Sequence, residues 1–289
     1  MIDLLDRQFF QFALIAALLV GLCAPAVGTF IVQRRLALLG DGIGHVALTG
    51  VALGFLTGTA PVLTAVLVAV AGAVAIELVR ARGRTSGDVA LALMFYGGIA
   101  GGVLLMGIAP GGSNAKLNSY LFGAIASVTE QDIWIIGGLA VAVLAVVAFF
   151  GRELFVLCQD EEMARASGLP VRFLSLLIAV TAALTVVIAM RVVGLLLVSA
   201  LMVIPVATSQ QLTRGFRTTM LLAMLFGVIA AVGGLLASTA STRVPPGASI
   251  VLLALAGFVL ALGVGKFVRR GRSQESTLTE PSTRAEEVV

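Results

Sequence analysis

Apolar residues run in blocks of about twenty along this chain, and the charged residues collect in the short stretches between them. On hydropathy grounds nine blocks stand out, roughly 9–32, 36–58, 61–79, 89–109, 132–150, 173–190, 192–208, 219–238 and 248–267. A helix of ~20 residues at 1.5 Å each crosses a hydrocarbon core of ~30 Å. A further stretch, 117–128, is short and amphipathic, and reads as a surface or re-entrant helix. The pattern predicts an all-α fold, a polytopic transmembrane helical bundle with about 8–9 spans.

Composition excludes the soluble alternative. Of 289 residues, 59% are hydrophobic and 12% charged, with mean hydropathy +1.09, whereas soluble domains carry about 25% charged residues. The net charge of +4 is no nucleic-acid footprint, because the Lys and Arg residues lie in small clusters between apolar runs. The two cysteines, Cys23 in the first apolar run and Cys158 in a polar stretch, suggest neither a disulfide framework nor a zinc motif. Asp3 and Asp6 against Arg7 do not make the basic start of a cleaved signal, so the first run is expected to remain in the mature protein.

The basic clusters set an orientation. Arg34 and Arg35 follow the first span, and Arg80, Arg82 and Arg84 the third. Arg152, Arg165 and Arg172 follow the fifth, Arg214 and Arg217 the seventh, and Lys266, Arg269, Arg270 and Arg272 the ninth. These are alternate loops, so all can face the cytoplasm together, with the N-terminus outside and the C-terminus inside. The opposite loops carry only Lys116, Arg191 and Arg243. Residues 1–270 form the membrane domain in this reading, and the polar segment 271–289 a disordered cytoplasmic tail.

Glycines recur at intervals of four: Gly40 and Gly44, then Gly50, Gly54 and Gly58 in the second block, and Gly97, Gly98, Gly101 and Gly102 in the fourth. Small residues at that spacing let helix backbones approach closely in lipid, and generic tight packing explains most of them.

The sharpest chemical feature is Gly40-Asp41-Gly42-Ile43-Gly44-His45 in the second block, which holds the chain's single histidine. On a helix Asp41 and His45 project from one face. A carboxylate in a spanning segment costs ~2.5–3.5 kcal/mol to insert, so such residues face a cavity or a partner. A carboxylate oxygen with an imidazole nitrogen suits Zn²⁺, Mn²⁺ or Fe²⁺. The surrounding glycines allow local unwinding, as in discontinuous helices that hold ions near the midplane. Two plainer arrangements also fit the residues. Asp41 and His45 can simply hydrogen-bond each other, or Asp41 can pair with Arg34 or Arg35, the latter ~9 Å away along a helix. Two ligands per chain suffice for a transit site that must release its ion, and a two-fold pair of chains would supply four.

The second feature is the stretch from Cys158 to Pro170. Asp160 is a good helix N-cap, Glu161 and Glu162 suit a first turn, and Gly168 before Pro170 ends it. The short helix, with small Ala164 and Ala166, reads either as a connector or as an element that docks into a soluble partner. Glu77, three residues from Arg80, and Asp88, at the start of the fourth span, read as structural charges. No phosphate-cradling loop is present, since Phe267 follows Gly265-Lys266 and Leu260 stands where its first glycine belongs. A single histidine cannot form a HExxH pair, and no Gly-x-Ser-x-Gly elbow occurs. The chain is therefore expected to be non-catalytic, with any ATP hydrolysed by another chain.

Four stretches together resemble the permease subunits of the bacterial zinc/manganese/iron ABC importers, the ABC-3 family. They are Arg34 to His45, Tyr120-Leu121-Phe122-Gly123, Val193 to Thr208, and Pro246 to Val251, with order and spacing held over roughly residues 1–270. The resemblance implies the architecture of type II importer permeases, a homodimer of permease chains, cytoplasmic ATP-binding-cassette subunits and an extracytoplasmic metal-binding protein, in the bacterial plasma membrane. It implies that Asp41 and His45 coordinate the passing Zn²⁺, Mn²⁺ or Fe²⁺, which is cargo and not a permanently bound cofactor. It also implies that the loop with Asp160, Glu161, Glu162, Ala164 and Gly168 is the coupling helix that contacts the ATPase. The chain departs from the family pattern at Gly44, often Ser, and at Thr49, often Pro. Thr49 lies one turn beyond His45, so its hydroxyl is a candidate to line the same path. A siderophore- or corrinoid-type permease would need a wider path without this Asp–His element. A secondary carrier independent of an ATPase would need more intramembrane carboxylates, and a scaffold or receptor with no transport role would need neither Asp41 nor His45.

Overall fold

The computed structural model describes residues 8–81, 87–110, 114–123, 130–190, 193–239 and 245–278. The described residues form helices α1 (Gln8–Gln33), α2 (Leu39–Thr57), α3 (Pro61–Ala81), α4 (Gly87–Ile108), α5 (Asn114–Phe122), α6 (Glu130–Gln159), α7 (Glu161–Ala166), α8 (Val171–Met190), α9 (Leu195–Leu212), α10 (Phe216–Ser238) and α11 (Pro246–Leu278). Eight of them are long and apolar enough to cross a membrane, and Leu197–Leu212 within α9 is a shorter apolar helix. The nine apolar blocks of the sequence thus correspond one to one with α1–α4, α6 and α8–α11.

Three helices form the centre. The apolar windows of α1 and α8 are 72% buried and that of α2 67%, against 22–33% for the other spans. The outer helices turn large apolar side chains outward, among them Leu67, Trp134, Phe149 and Leu260, as lipid-facing surfaces do. Within the bundle α2 packs against α3, α4, α8 and α9, while α1 packs against α6, α8, α9 and α10.

Glycines set these distances. A methyl group at Gly50 or Gly54 would run into α3 at Ala65, Thr64 and Pro61, and one at Gly40 or Gly44 into α9 at Ser199 and Leu195. Gly98, Gly101 and Gly102 of α4 lie against α2, whereas Gly97 faces open space. The interval-of-four spacing therefore packs α2 on several faces at once. Each glycine costs about 1 kcal/mol of helix propensity, offset by the close approach it permits.

The structure departs from the sequence reading in several places. α2 runs as an unbroken helix through Gly40–Gly44, not as a discontinuous one, because packing on both sides holds the backbone that the glycines would otherwise free. α6 extends from 132–150 to Glu130–Gln159, since helix good-formers such as Arg152, Glu153 and Leu154 continue it past the apolar block. α11 continues through 271–278, the first part of the segment expected to be a disordered tail, because extending an existing helix avoids the nucleation cost. Residues 279–289 lie outside the described residues, as do the N-terminal residues 1–7, and Arg82, Arg84, Arg191 and Arg243.

Basic residues that follow the first, third and fifth spans share one end of the bundle, as their placement in alternate loops requires. Arg34, Arg80, Arg165 and Arg172 line one cavity of about 880 Å³ together with Glu77 and Glu161, and Phe216 at the start of α10 stacks near Phe30 and Phe155. At the opposite end, three of the stretches that resemble the metal-importer permeases meet. Gly194, at φ 89°, lies against the backbone of Leu121, Phe122 and Gly123, and Gly247 lies against the carbonyls of Val193 and Phe122. A side chain at Gly194 would be strained by its backbone conformation and blocked by α5. The 117–128 segment is thus represented by α5, seated on the α8–α9 turn, with 124–129 outside the described residues.

Candidate metal path

Asp41 lies in the first turn of α2 and His45 one turn later. The site therefore occupies the Arg-rich third of the helix, displaced from its middle. There the N-terminal dipole favours the Asp41 carboxylate. Asp41 is half-buried, and among the described residues it makes no hydrogen bond or ion pair. Arg34 is committed elsewhere, to Ser175 and Glu161, so a boundary pair of Asp41 with Arg34 does not form. His45 is 6% exposed, its ring stands edge-on to Phe95 at 4.5 Å and 76°, and among the described residues its Nδ1 has no hydrogen-bond partner. An unpaired buried nitrogen costs about 1–3 kcal/mol. The direct Asp41–His45 hydrogen bond, the other plain arrangement, is also not present among the described contacts.

Thr49 is the third residue on this face. Its hydroxyl donates to the Gly98 carbonyl of α4 at 2.8 Å, with His45 O at 3.4 Å. Its proton thus ties α2 to α4, and only its oxygen lone pairs remain to face a path. Gly98 allows the tie, because a methyl group there would sit 2.6 Å from the His45 carbonyl carbon.

Ser199 of α9 carries no local sequence signal of a role. It is buried, its Oγ has no partner among the described residues, and it lies against Gly40. Other buried hydroxyls of the spans, Thr29, Thr181, Thr185, Thr208 and Ser209, bond the carbonyl four residues back, so Ser199 stands apart. Nothing in a Val-Ser-Ala sequence signals this, since it depends on which face of α9 meets Gly40. Among the described residues there is no cluster of three or more His, Cys, Asp or Glu side chains that could hold a metal ion. One chain offers a carboxylate and an imidazole. Further ligands must be hydroxyl, carbonyl or water oxygens, or come from another chain. The thiols are remote in their bonding: Cys23 donates to Ala140 O and Cys158 to Phe30 O.

The second candidate element is α7. Asp160 caps it, accepting from Glu162 N at 2.8 Å and Met163 N at 3.1 Å. It closes with Gly168 N on Arg165 O and Leu169 N on Ala164 O, Gly168 having φ 76°, the paired bonds of a Schellman motif. Glu161 pairs with Arg34 at 3.3 Å and Arg165 at 3.1 Å. Ala164 is fully buried against its own chain, so the small residue serves inward packing. The outward face is Glu162, Met163, Arg165 and Ala166, with Met163 62% exposed.

A polytopic bundle with a buried, unsatisfied imidazole and a carboxylate on one central helix, and a rigid capped helix projecting at one end, has the architecture of a transporter's membrane subunit. The chain belongs to the ABC 3 transport family, whose model matches residues 6–265. It is 36% identical to the manganese transport system membrane protein MntC of Halalkalibacterium halodurans, over 90% of this chain and 88% of that one. It is 34% identical to the manganese import system permease protein ScaB of Streptococcus gordonii, over 89% and 91%. The solved structure of PsaBC from Streptococcus pneumoniae in complex with Fab superposes with a TM-score of 0.81 at 34% identity, covering 90% of this chain and 93% of that chain. An inward-facing putative metal-chelate type ABC transporter shares the fold at a TM-score of 0.70 and 18% identity.

Proposed function

We propose that this chain is the membrane permease of an ATP-driven importer of a divalent transition metal, with Mn²⁺ the favoured cargo. The observation that carries the reading is the buried His45 Nδ1, left without a partner one helical turn from an unpaired Asp41. An unsatisfied buried nitrogen beside a carboxylate is destabilising by itself, and a passing cation would satisfy both. An oxygen and a borderline nitrogen, with the cysteine thiols bonded elsewhere, suit Mn²⁺, Fe²⁺ or Zn²⁺, and relatives named as manganese systems tilt the choice to Mn²⁺.

In this reading two chains pair about a two-fold axis, bringing two Asp41 and two His45 to one conduit. The Arg-rich end faces the cytoplasm, where α7 meets a separate ATPase subunit through Glu162, Met163 and Ala166, and a metal-binding protein delivers the ion at the opposite end. ATP hydrolysis alternates access to the site by moving the central helices. Asp41 and His45 replace part of the ion's hydration shell and release it because their number is small. The chain itself makes and breaks no covalent bond.

The test is ⁵⁴Mn²⁺ uptake into proteoliposomes holding the permease with its ATPase. Asp41→Asn and His45→Gln are expected to abolish uptake while leaving complex assembly intact. Uptake at the unaltered rate in both variants removes these residues from the path.

A further inference from the structure

We infer that Arg34 is the positioning residue that carries movement of α7 to the helix holding Asp41 and His45, an inference that rests on the transport reading above. Arg34 directly follows α1, and its guanidinium spans three elements. Nη1 donates to Ser175 Oγ of α8 at 2.9 Å, and Nη2 to Glu161 Oε2 of α7 at 3.3 Å. Glu77–Arg80 and Glu161–Arg165 lie within single helices, whereas Arg34–Glu161 joins two. The Arg34 side chain is 9% exposed and that of Glu161 48%, so the contact is only partly screened by solvent.

Both ends of this contact are stiff. On one side, α7 is capped by Asp160 and closed at Gly168, and the second oxygen of Glu161 is held by Arg165. On the other, the five residues between α1 and α2 have no slack. Arg34 N bonds Phe30 O, Arg35 N bonds Val32 O, Leu36 N bonds Ile31 O, and Leu39 N bonds Leu36 O, at 2.8–3.1 Å. The middle two bonds form a Schellman closure with Arg35 in the left-handed region at φ 58°, where a glycine is usual. Asp41 follows in the first turn of α2. A displacement of α7 that drags Arg34 therefore reaches Asp41 through hydrogen-bonded backbone alone. The planar fork of arginine holds Ser175 and Glu161 at once, which a lysine, a single point charge, does not reproduce.

The experiment measures Mn²⁺ taken up per ATP hydrolysed by the reconstituted complex. Arg34→Gln and Glu161→Gln are expected to lower that ratio by ~5-fold or more, the range of ordinary coupling between sites. Arg34→Lys is expected to lower it as well despite its retained charge, because a point charge does not hold Ser175 and Glu161 together. Mn²⁺ binding by the Arg34→Gln permease, read by equilibrium dialysis, stays at the unaltered level, which separates transmission from damage to the site. An unaltered ratio in both single variants overturns the inference, and so does a fall that merely follows the amount of ATPase subunit retained. If the unaltered complex takes up no metal, the transport reading itself fails. If it does so, and Asp41→Asn stops it while Arg34→Gln couples normally, only the role of Arg34 falls.

Discussion

Gly98→Ala tests whether the close crossing of α2 and α4 shapes the helix that carries Asp41 and His45. The added methyl group would lie 2.6 Å from the His45 carbonyl carbon, 2.7 Å from Val46 N and 2.9 Å from His45 O, all of them backbone atoms that no rotamer change can clear. Retreat from 2.6 Å to an ordinary contact of 3.4 Å moves α4 by about 0.8 Å, which stretches the Thr49–Gly98 hydrogen bond from 2.8 Å to about 3.6 Å, beyond bonding distance. Overpacking of this kind costs ~1–3 kcal/mol, and a hydrogen bond between membrane helices contributes ~0.6 kcal/mol. Set against the ~1 kcal/mol of helix propensity that any Gly→Ala change in a helix gains, the expected net destabilisation is ~0.6–2.6 kcal/mol, with metal uptake impaired because the wall behind His45 shifts. The internal control is Gly97→Ala one residue earlier, where the methyl group meets nothing within 4 Å, so stability is unchanged or raised by up to ~1 kcal/mol through helix propensity. Denaturant titration of the detergent-solubilised permease reads both, and Thr49→Val completes a double-mutant cycle. In a Gly98→Ala background, Thr49→Val should cost almost nothing, since the bond is already broken. Equal stability of the two glycine variants, or full additivity in the cycle, refutes the reasoning.

Asp160→Ala removes the acceptor for Glu162 N and Met163 N and is expected to destabilise α7 by ~1 kcal/mol; faster amide exchange confined to 160–169 checks it, with weaker retention of the ATPase subunit alongside. Gly168→Ala places a side chain at φ 76° and should cost ~1–2 kcal/mol locally, again visible as faster exchange in the same segment. Ser199→Ala deletes a buried hydroxyl that bonds nothing among the described residues, so stability should stay within ~0.5 kcal/mol or rise; a loss above 1 kcal/mol, on the same denaturant scale, contradicts the unpartnered geometry.

Much of the architecture was legible because lipid forces it. Every span must satisfy its own backbone and so appears as an apolar block of readable length, which is why nine blocks became nine helices. The Asp41–His45 pair was legible for the same reason, as polar side chains are costly in such a block. What one sequence could not show was which neighbours these residues meet. Gly97 and Gly98 look alike in a line of letters, yet one faces open space and the other touches His45. Ala164 and Ala166 look equally fit to dock outward, yet Ala164 is buried. The continuity of α2 through Gly40–Gly44 depends on α9 and α4 pressing from both sides, which is tertiary information. The Arg34–Glu161 contact spans 127 positions, a separation at which charge pairing leaves no local pattern.

Binding of Mn²⁺ to the purified permease, measured by equilibrium dialysis with ⁵⁴Mn²⁺, addresses the Asp41–His45 site without the ATPase or the delivery protein. One ion per two chains is expected, with affinity lowered at least ~10-fold by either Asp41→Asn or His45→Gln at unchanged helix content. Binding of the same stoichiometry and affinity in both variants would contradict it.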